Sequence, residues 1–174
     1  MEFMDLYNKN RIKTDKVLER GKPVPADLFY FVVHICIFNS NNQLLIQQRQ
    51  SFKSFLPNMW DVTVGGNSIS GENSADAAKR ELFEEIGYLH NFEFERPALT
   101  INFDYGFDDI YLLVNDLDIN ALKLQYEEVQ NVKWATMDEI FTMIDNNEFV
   151  PYKKELIRLF FSLKDFTGSF TREL

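Results

Sequence analysis

The stretch from Gly66 to Tyr88 constrains this chain most, because it combines glycines, acids and apolar residues at fixed distances. It reads GNSISGENSADAAKRELFEEIGY, with the spacing G-x5-E-x7-R-E-L-x-E-E-x-G. Two glycines and five charged residues occupy fixed positions in this spacing. Each residue type has an average usage of about 5–7 %, so all seven positions would be filled by chance, anywhere in a chain of this length, with a probability of about 10⁻⁶. The stretch is therefore a motif whose residues act together.

The second half of the motif predicts an amphipathic helix over residues 74–86. Ser74 is predicted as the N-cap, because its hydroxyl can accept a hydrogen bond from the first turn. Gly87 is predicted as the left-handed residue that ends the helix. One apolar stripe recurs at helical spacing and faces the core. Its members are Ala75, Ala78, Leu82 and Ile86.

Three carboxylates, Glu81, Glu84 and Glu85, fall together on the flank of that stripe. Like charges at this spacing destabilise a helix by about 0.2–0.5 kcal/mol per pair, and Arg80 offsets only part of this cost. Oxygen ligands suit Mg²⁺ or Mn²⁺. The cluster therefore favours a cation site over a solvated acidic face, which is the ordinary meaning of a charge run. Gly65, just before the motif, lets a backbone carbonyl approach a cation.

The whole spacing is that of the Nudix box, and the chain resembles the Nudix hydrolases, although Tyr88 stands where the family prefers an aliphatic residue. The resemblance implies an α/β fold, a Nudix-type α/β/α sandwich with a mixed β-sheet. It also implies a hydrolase that cleaves the diphosphate bond of a nucleoside diphosphate linked to another moiety X. In such enzymes Mg²⁺ or Mn²⁺ activates the attacking water. Glu81, Glu84 and Glu85, with the Gly65 carbonyl, would hold the metal.

Two further residues of the box are predicted to support the metal ligands. Arg80 matches the family arginine that orients a carboxylate, and Glu72 either caps the helix or contacts the metal through water. The general base is Glu81 or Glu128. Many Nudix hydrolases carry, outside the box, a glutamate that binds metal or acts as the general base. Glu128 matches this glutamate only by its position, and an ordinary surface acid is the alternative. The sequence leaves both alternatives open.

Upstream of the box, Arg49 and Lys53 are candidate ligands for a substrate phosphate, with two ordinary surface cations as the alternative. They lie in the pattern Q-R-x3-K-x3-P-x2-W, which resembles the isopentenyl-diphosphate isomerases. Those enzymes carry a cysteine followed by Gly-His-Pro before the box, where this chain reads GGNS over residues 65–68. The missing thiol favours hydrolysis. A non-catalytic module that binds a nucleotide sugar remains a third alternative, because intact carboxylates indicate metal binding and not turnover.

Composition narrows the class of partner. The net charge of −9 at pH 7 argues against nucleic acid and anionic membranes, both of which are polyanions. The apolar run Leu28–Phe38 is too short to span a bilayer and contains His34, which is predicted as a hydrogen-bonded core residue. Cys36 is the one cysteine, which excludes an intramolecular disulfide. A cytoplasmic protein is therefore expected, and the Nudix resemblance implies a small-molecule diphosphate as its substrate.

The chain predicts a single domain over residues 1–174, with an N-terminal β-hairpin extension (1–27), a core (28–163) and a C-terminal tail (164–174). By analogy with other Nudix groups, the hairpin is a candidate homodimer contact. Alternation and turn residues predict the remaining elements. The strands are 2–7, 11–18, 29–38, 43–49, 59–64, 92–103, 109–115 and 129–134, and the helices besides 74–86 are 137–145 and 152–163.

Overall fold

The computed structural model describes residues 2–165, and its central element is a seven-stranded mixed β-sheet. The elements in chain order are β1 (Phe3–Tyr7), β2 (Lys13–Glu19), β3 (Tyr30–Phe38), β4 (Leu44–Arg49), β5 (Trp60–Asp61), β6 (Val64–Asn67), α1 (Ser74–Ile86), β7 (Leu99–Phe103), β8 (Gly106–Val114), β9 (Val129–Ala135), α2 (Met137–Asp145) and α3 (Lys154–Leu163). Of the predicted tail 164–174, all but the first two residues lie outside the described part of the chain.

Strand β3 organises the sheet. It runs parallel to β8 and pairs antiparallel with β4 and β6, while β7 extends the sheet beyond β8 and β9 pairs with β4. Side chains of a strand alternate between faces. One face of β3 packs against α1 through Val33, Ile35 and Ile37. The opposite face packs against α2 and α3 through Cys36 and Phe38. Helices cover both faces, which confirms the predicted α/β sandwich with a mixed sheet.

Helix α1 spans the predicted residues, but its N-cap is Asn73 and not Ser74. The side-chain oxygen of Asn73 accepts a hydrogen bond from the backbone N–H of Asp76 at 3.0 Å. The Asp76 carboxylate accepts one from the backbone N–H of Asn73 at 3.2 Å. This reciprocal pair is a capping box, which satisfies two backbone donors at once. The Ser74 hydroxyl instead bonds the hydroxyl of Tyr111 at 2.9 Å. Gly87 ends the helix in the left-handed conformation, as predicted.

Several other boundaries differ from the prediction. The strand predicted over 109–115 begins earlier, as β8 at Gly106, and the strand predicted over 11–18 begins later, as β2 at Lys13. The predicted strand 59–64 is interrupted, so that β5 and β6 are separate strands pairing with different neighbours. The predicted strand 92–103 begins only at Leu99. Pro97 precedes it and has no amide hydrogen for a sheet ladder. Helix α3 begins at Lys154 rather than at residue 152, which places Tyr152 in the preceding loop.

The predicted N-terminal hairpin is present as the separate two-stranded sheet β1–β2. Its apolar side chains Met4, Leu6 and Leu18 form a small cluster with residues that lead into β3. The backbones of Tyr7 and Phe29 exchange two hydrogen bonds of 2.8 and 2.9 Å. The hairpin is thus packed on the core of its own chain. Within residues 2–165, no helix is long and apolar enough to cross a membrane.

Candidate active site

The site begins where β6 passes in front of α1. A Cβ added at Gly66 would overlap the Glu81 carboxylate, and one added at Gly65 would overlap the imidazole of His34. Glycine is therefore needed at both positions because a neighbouring side chain lies too close for a Cβ atom, and not because the backbone is left-handed there. Their lack of side chains brings the strand backbone directly against a carboxylate on one side and an imidazole on the other.

Arg80 joins the acidic residues of the box. Its guanidinium donates to both oxygens of Glu72, at 2.6 and 2.9 Å, and to the backbone oxygen of Asn67 at 2.9 Å. One of its nitrogens also bonds Glu81 at 2.8 Å and Glu84 at 3.1 Å. Glu72 in turn accepts from the amide of Ile69 at 3.0 Å, so it orders the loop and does not cap the helix. The pairing of Arg80 with carboxylates agrees with the sequence-based expectation.

Glu85 differs from the other two box carboxylates in its burial. Its exposed fraction is only 4 %, whereas the side chain of Glu84 is 47 % exposed. Burial raises the pKa of Glu85 well above its ordinary value, and the neighbouring charge of Glu81 adds to the effect. The amide of Gln47 donates to Glu85 at 2.8 Å. Sequence reasoning missed Gln47, although a glutamine that continues the apolar run of β4 was a visible signal.

The sequence places the three carboxylates side by side, and the structure corrects this picture in part. Glu81 and Glu84 share Arg80, while Glu85 turns toward Gln47. In the positions described for residues 2–165, no three acidic, histidine or cysteine side chains converge as a ligand set. Each of the three carboxylates is therefore paired with a protein donor, either Arg80 or Gln47.

A cavity of about 340 Å³ lies next to this cluster and contains the other predicted residues. Gly65, Gly66, Arg49, Lys53 and Glu128 line it, whereas the three box carboxylates are not part of the lining. Lys53 and Glu128 form an ion pair of 2.5 Å across its wall. The guanidinium of Arg49 donates to the backbone oxygen of residue 55 at 3.1 and 3.4 Å. The structure therefore brings Arg49, Lys53 and Glu128 together, with Arg49 also holding its loop.

A hydrogen-bonded network of partly buried polar side chains adjoins the cavity, and its members His34, Asp61 and Tyr152 line it. His34 bonds Asp108 through Nδ1 at 2.7 Å and the Tyr152 hydroxyl through Nε2 at 3.3 Å. That hydroxyl donates to Asp61 at 3.0 Å. Burial raises the pKa of Tyr152 well above its ordinary value and also raises that of Asp61. His34 is hydrogen-bonded as predicted, but it faces the cavity, which the sequence did not indicate.

Comparison with known proteins agrees with this architecture. The NUDIX domain family matches residues 29–160. An uncharacterized Nudix hydrolase of Listeria monocytogenes is 38 % identical over 167 residues, covering 96 % of this chain and 98 % of the relative. A second one, from Listeria innocua, is 40 % identical over 152 residues, covering 87 % of this chain and 90 % of the relative.

Solved structures show the same fold. A crystal structure of a Deinococcus radiodurans protein superposes with a TM-score of 0.73 at 27 % identity, covering 91 % of this chain and 97 % of that one. The MutT protein of Methanosarcina mazei superposes with a TM-score of 0.61 at 22 % identity, covering 84 % and 96 %. The family match spans most of the chain and includes the box, the seven-stranded sheet and all the residues that line the cavity except Arg20. The chain therefore belongs to the Nudix hydrolases, which hydrolyse nucleoside diphosphate derivatives.

Proposed function

We propose that this Nudix hydrolase requires Mg²⁺ or Mn²⁺ and cleaves the diphosphate bond of a nucleoside diphosphate linked to another moiety X. The observation that carries the proposal is the contact between the complete acidic box and a glycine strand, where the Glu81 carboxylate lies against Gly66. Beside it, the lining of the cavity contains the cations Arg20, Arg49 and Lys53 and the acids Asp61 and Glu128, and the excess of cations suits an anionic substrate.

The residues present fit a hard divalent cation. The buried charge of Glu85 next to Glu81 is costly without a positive partner, as the raised pKa of Glu85 indicates. Gln47 Oε1 is buried without a hydrogen-bond partner among the described residues, which leaves one more oxygen beside Glu85. All these donors are oxygens, the ligand type that Mg²⁺ and Mn²⁺ prefer. Glu81, Glu84, Glu85 and the Gly65 carbonyl would hold the ion.

When bound, the divalent cation would neutralise the diphosphate and lower the pKa of a coordinated water. The chain supplies the remaining functions. Arg80 pairs with Glu72 and contacts Glu81 and Glu84, and so restricts the orientations of these two carboxylates. Lys53 and Arg49 would bind the phosphates from the cavity wall.

The proton of the attacking water would go to Glu81 or to Glu128. Glu81 lies against the glycine strand, and burial raises its pKa above the ordinary value, which suits a carboxyl group that accepts a proton. Glu128 faces the cavity and is paired with Lys53. Because Glu81 is also a proposed metal ligand, the Glu128→Gln variant distinguishes the two. It loses turnover at saturating cation if Glu128 is the base, and mainly changes substrate affinity if Glu81 is the base.

The test of the function is a panel assay with Mg²⁺ and Mn²⁺ on ADP-ribose, nucleotide sugars and dinucleoside polyphosphates. In water enriched in ¹⁸O, hydrolysis is expected to place one heavy oxygen on one product phosphate. Turnover that needs no divalent cation, or binding without any turnover across the panel, would overturn the proposal. The second outcome would support the alternative of a binding module.

We further propose that this protein is a single domain that works in the cytoplasm. The hairpin and the core share packing and backbone hydrogen bonds, and the single cysteine, Cys36, is buried and forms no disulfide. A cysteine-poor chain without a disulfide framework suits a reducing compartment. A homodimer contact through the hairpin stays a prediction, which size-exclusion chromatography with light scattering would check.

A further inference from the structure

The N-terminal hairpin is tied to the loop that precedes α1. The carboxylate of Asp5 is buried and accepts hydrogen bonds from the Ser70 hydroxyl at 2.7 Å and the Gly71 amide at 2.8 Å. The Ser70 amide donates to the backbone oxygen of Phe3 at 2.7 Å. Because this loop connects the glycine strand to the box helix, the hairpin is held in a defined position beside the active site.

Arg20 is the residue that this arrangement delivers to the site. It directly follows β2, its amide is bonded to the backbone oxygen of Glu2 at 2.9 Å, and its side chain lines the cavity together with Gly66 and Asn67. From the sequence the hairpin is a candidate dimer contact, and Arg20 has no predicted role. In the structure, Arg20 lines the same cavity as Lys53.

The present partner of Arg20 is easily exchanged. Its guanidinium contacts the Glu2 carboxylate at 2.6 Å, and the two side chains are 52 % and 53 % exposed. Ion pairs this open to water contribute little to stability, so replacing one anion by another costs little. A guanidinium binds phosphate through two parallel hydrogen bonds, which makes a phosphate a strong competitor for Glu2.

We propose that Arg20 is a substrate-binding residue whose guanidinium leaves Glu2 and binds a phosphate group of the diphosphate substrate. The hairpin then belongs to the active site of its own chain. This inference rests on the proposed function, since it names a further contact for the same substrate. It also has an electrostatic reason, because a chain with a net charge of −9 needs local cations to attract an anionic ligand.

The experiment measures binding of imidodiphosphate, a non-hydrolysable diphosphate, by isothermal titration calorimetry in the presence of Mg²⁺. The wild type is compared with Arg20→Gln, Arg20→Lys and Glu2→Gln. Lys16→Gln is the matched control, because it removes the same charge from an exposed position of β2 outside the cavity lining. A thermal melt of each variant reports whether the fold is retained.

Arg20→Gln is expected to raise Kd at least tenfold, Arg20→Lys to raise it less, and Lys16→Gln to leave it unchanged. Glu2→Gln is expected to keep or lower Kd, since it removes the competing anion. An unchanged Kd in Arg20→Gln, or equal losses in Arg20→Gln and Glu2→Gln, would overturn the inference, as would a wild type that does not bind the probe. The turnover panel tests the proposed function separately, because binding of the probe requires no catalysis.

Discussion

The guanidinium of Arg80 holds the carboxylate of Glu72 through two hydrogen bonds of 2.6 and 2.9 Å, across the turn that leads into α1. Both side chains are mostly buried, at 22 % and 15 % exposure. The same guanidinium reaches Glu81 and Glu84, so the pair connects the loop before the helix to the acidic cluster on it.

Glu72→Gln should therefore loosen the acidic cluster as well as the loop. Loss of a charged, bidentate hydrogen-bonded pair is expected to destabilise the fold by about 1–3 kcal/mol. The free energy of unfolding from urea titration checks this, with the exposed Glu93→Gln as the control. Equal stabilities of Glu72→Gln and the wild type would mean that the pair does not hold the loop.

Glu84→Gln and Glu85→Gln are each expected to lower kcat at least a hundredfold with the fold intact. Both changes remove a carboxylate proposed as a metal ligand without touching the apolar stripe of α1. The measurement is kcat at saturating Mg²⁺ beside a thermal melt, with Glu93→Gln again as the control. Near-normal turnover in both variants would contradict their assignment as ligands.

Divalent cation is expected to raise the Tm of the wild type but not of a variant in which Glu81, Glu84 and Glu85 are all changed to Gln. A ligand that binds only the native state stabilises it by about 2.7 kcal/mol at a hundred times its Kd. Melts with increasing Mg²⁺ and Mn²⁺ check this. The same shift in both proteins would place the cation elsewhere.

Asp108 and Asp109 are another pair of adjacent acids, and they are the alternative place for such a cation. The structure argues against it, because Asp108 bonds His34 and Asp109 forms an ion pair with Arg11 at 2.7 Å. Asp109 also accepts a hydrogen bond from Thr100. Both carboxylates are thus occupied by protein donors.

Stability without cation should depend on pH through Glu85. Burial raises the pKa of Glu85 well above its ordinary value of 4.5, so the folded state holds this proton more tightly than the unfolded chain. Stability is therefore lost as pH rises from about 4.5 toward the folded-state pKa. In EDTA, Glu85→Gln should melt higher than the wild type at pH 7–8, and the difference should shrink toward pH 4.5. A difference that is constant with pH would contradict burial of an ionisable Glu85.

Isopentenyl diphosphate should be left unchanged by the protein. The place that a side chain at Gly65 would occupy is filled by the imidazole of His34, and the chain has no thiol there. Cys36, the one cysteine, is fully buried in the sheet. Incubation in D₂O with NMR detection checks this, and deuterium appearing in dimethylallyl diphosphate at a catalytic rate would favour the isomerase alternative over hydrolysis.

The sequence by itself determined the local features of this protein. The box spacing predicted α1 over residues 74–86 and its glycine C-terminus, and apolar segments joined by a polar turn predicted β3 and β4 to within one residue. These features depend on contacts between residues that are close in the chain, where periodicity and capping are decisive. The predicted N-cap, Ser74, was wrong because Asn73 and Ser74 are both residue types that cap helices. The reciprocal hydrogen bonds between Asn73 and Asp76 favour Asn73.

Only the tertiary structure decided how distant segments meet. The cavity joins Arg20 from the hairpin, His34 from β3, Lys53 from a loop and Tyr152 from the segment before α3, which are far apart in sequence. Likewise Gln47 reaches Glu85 only because folding brings the second half of β4 next to the last turn of α1. Pattern analysis reports the face on which a residue lies, whereas strand order and packing determine which residues from other elements share that face.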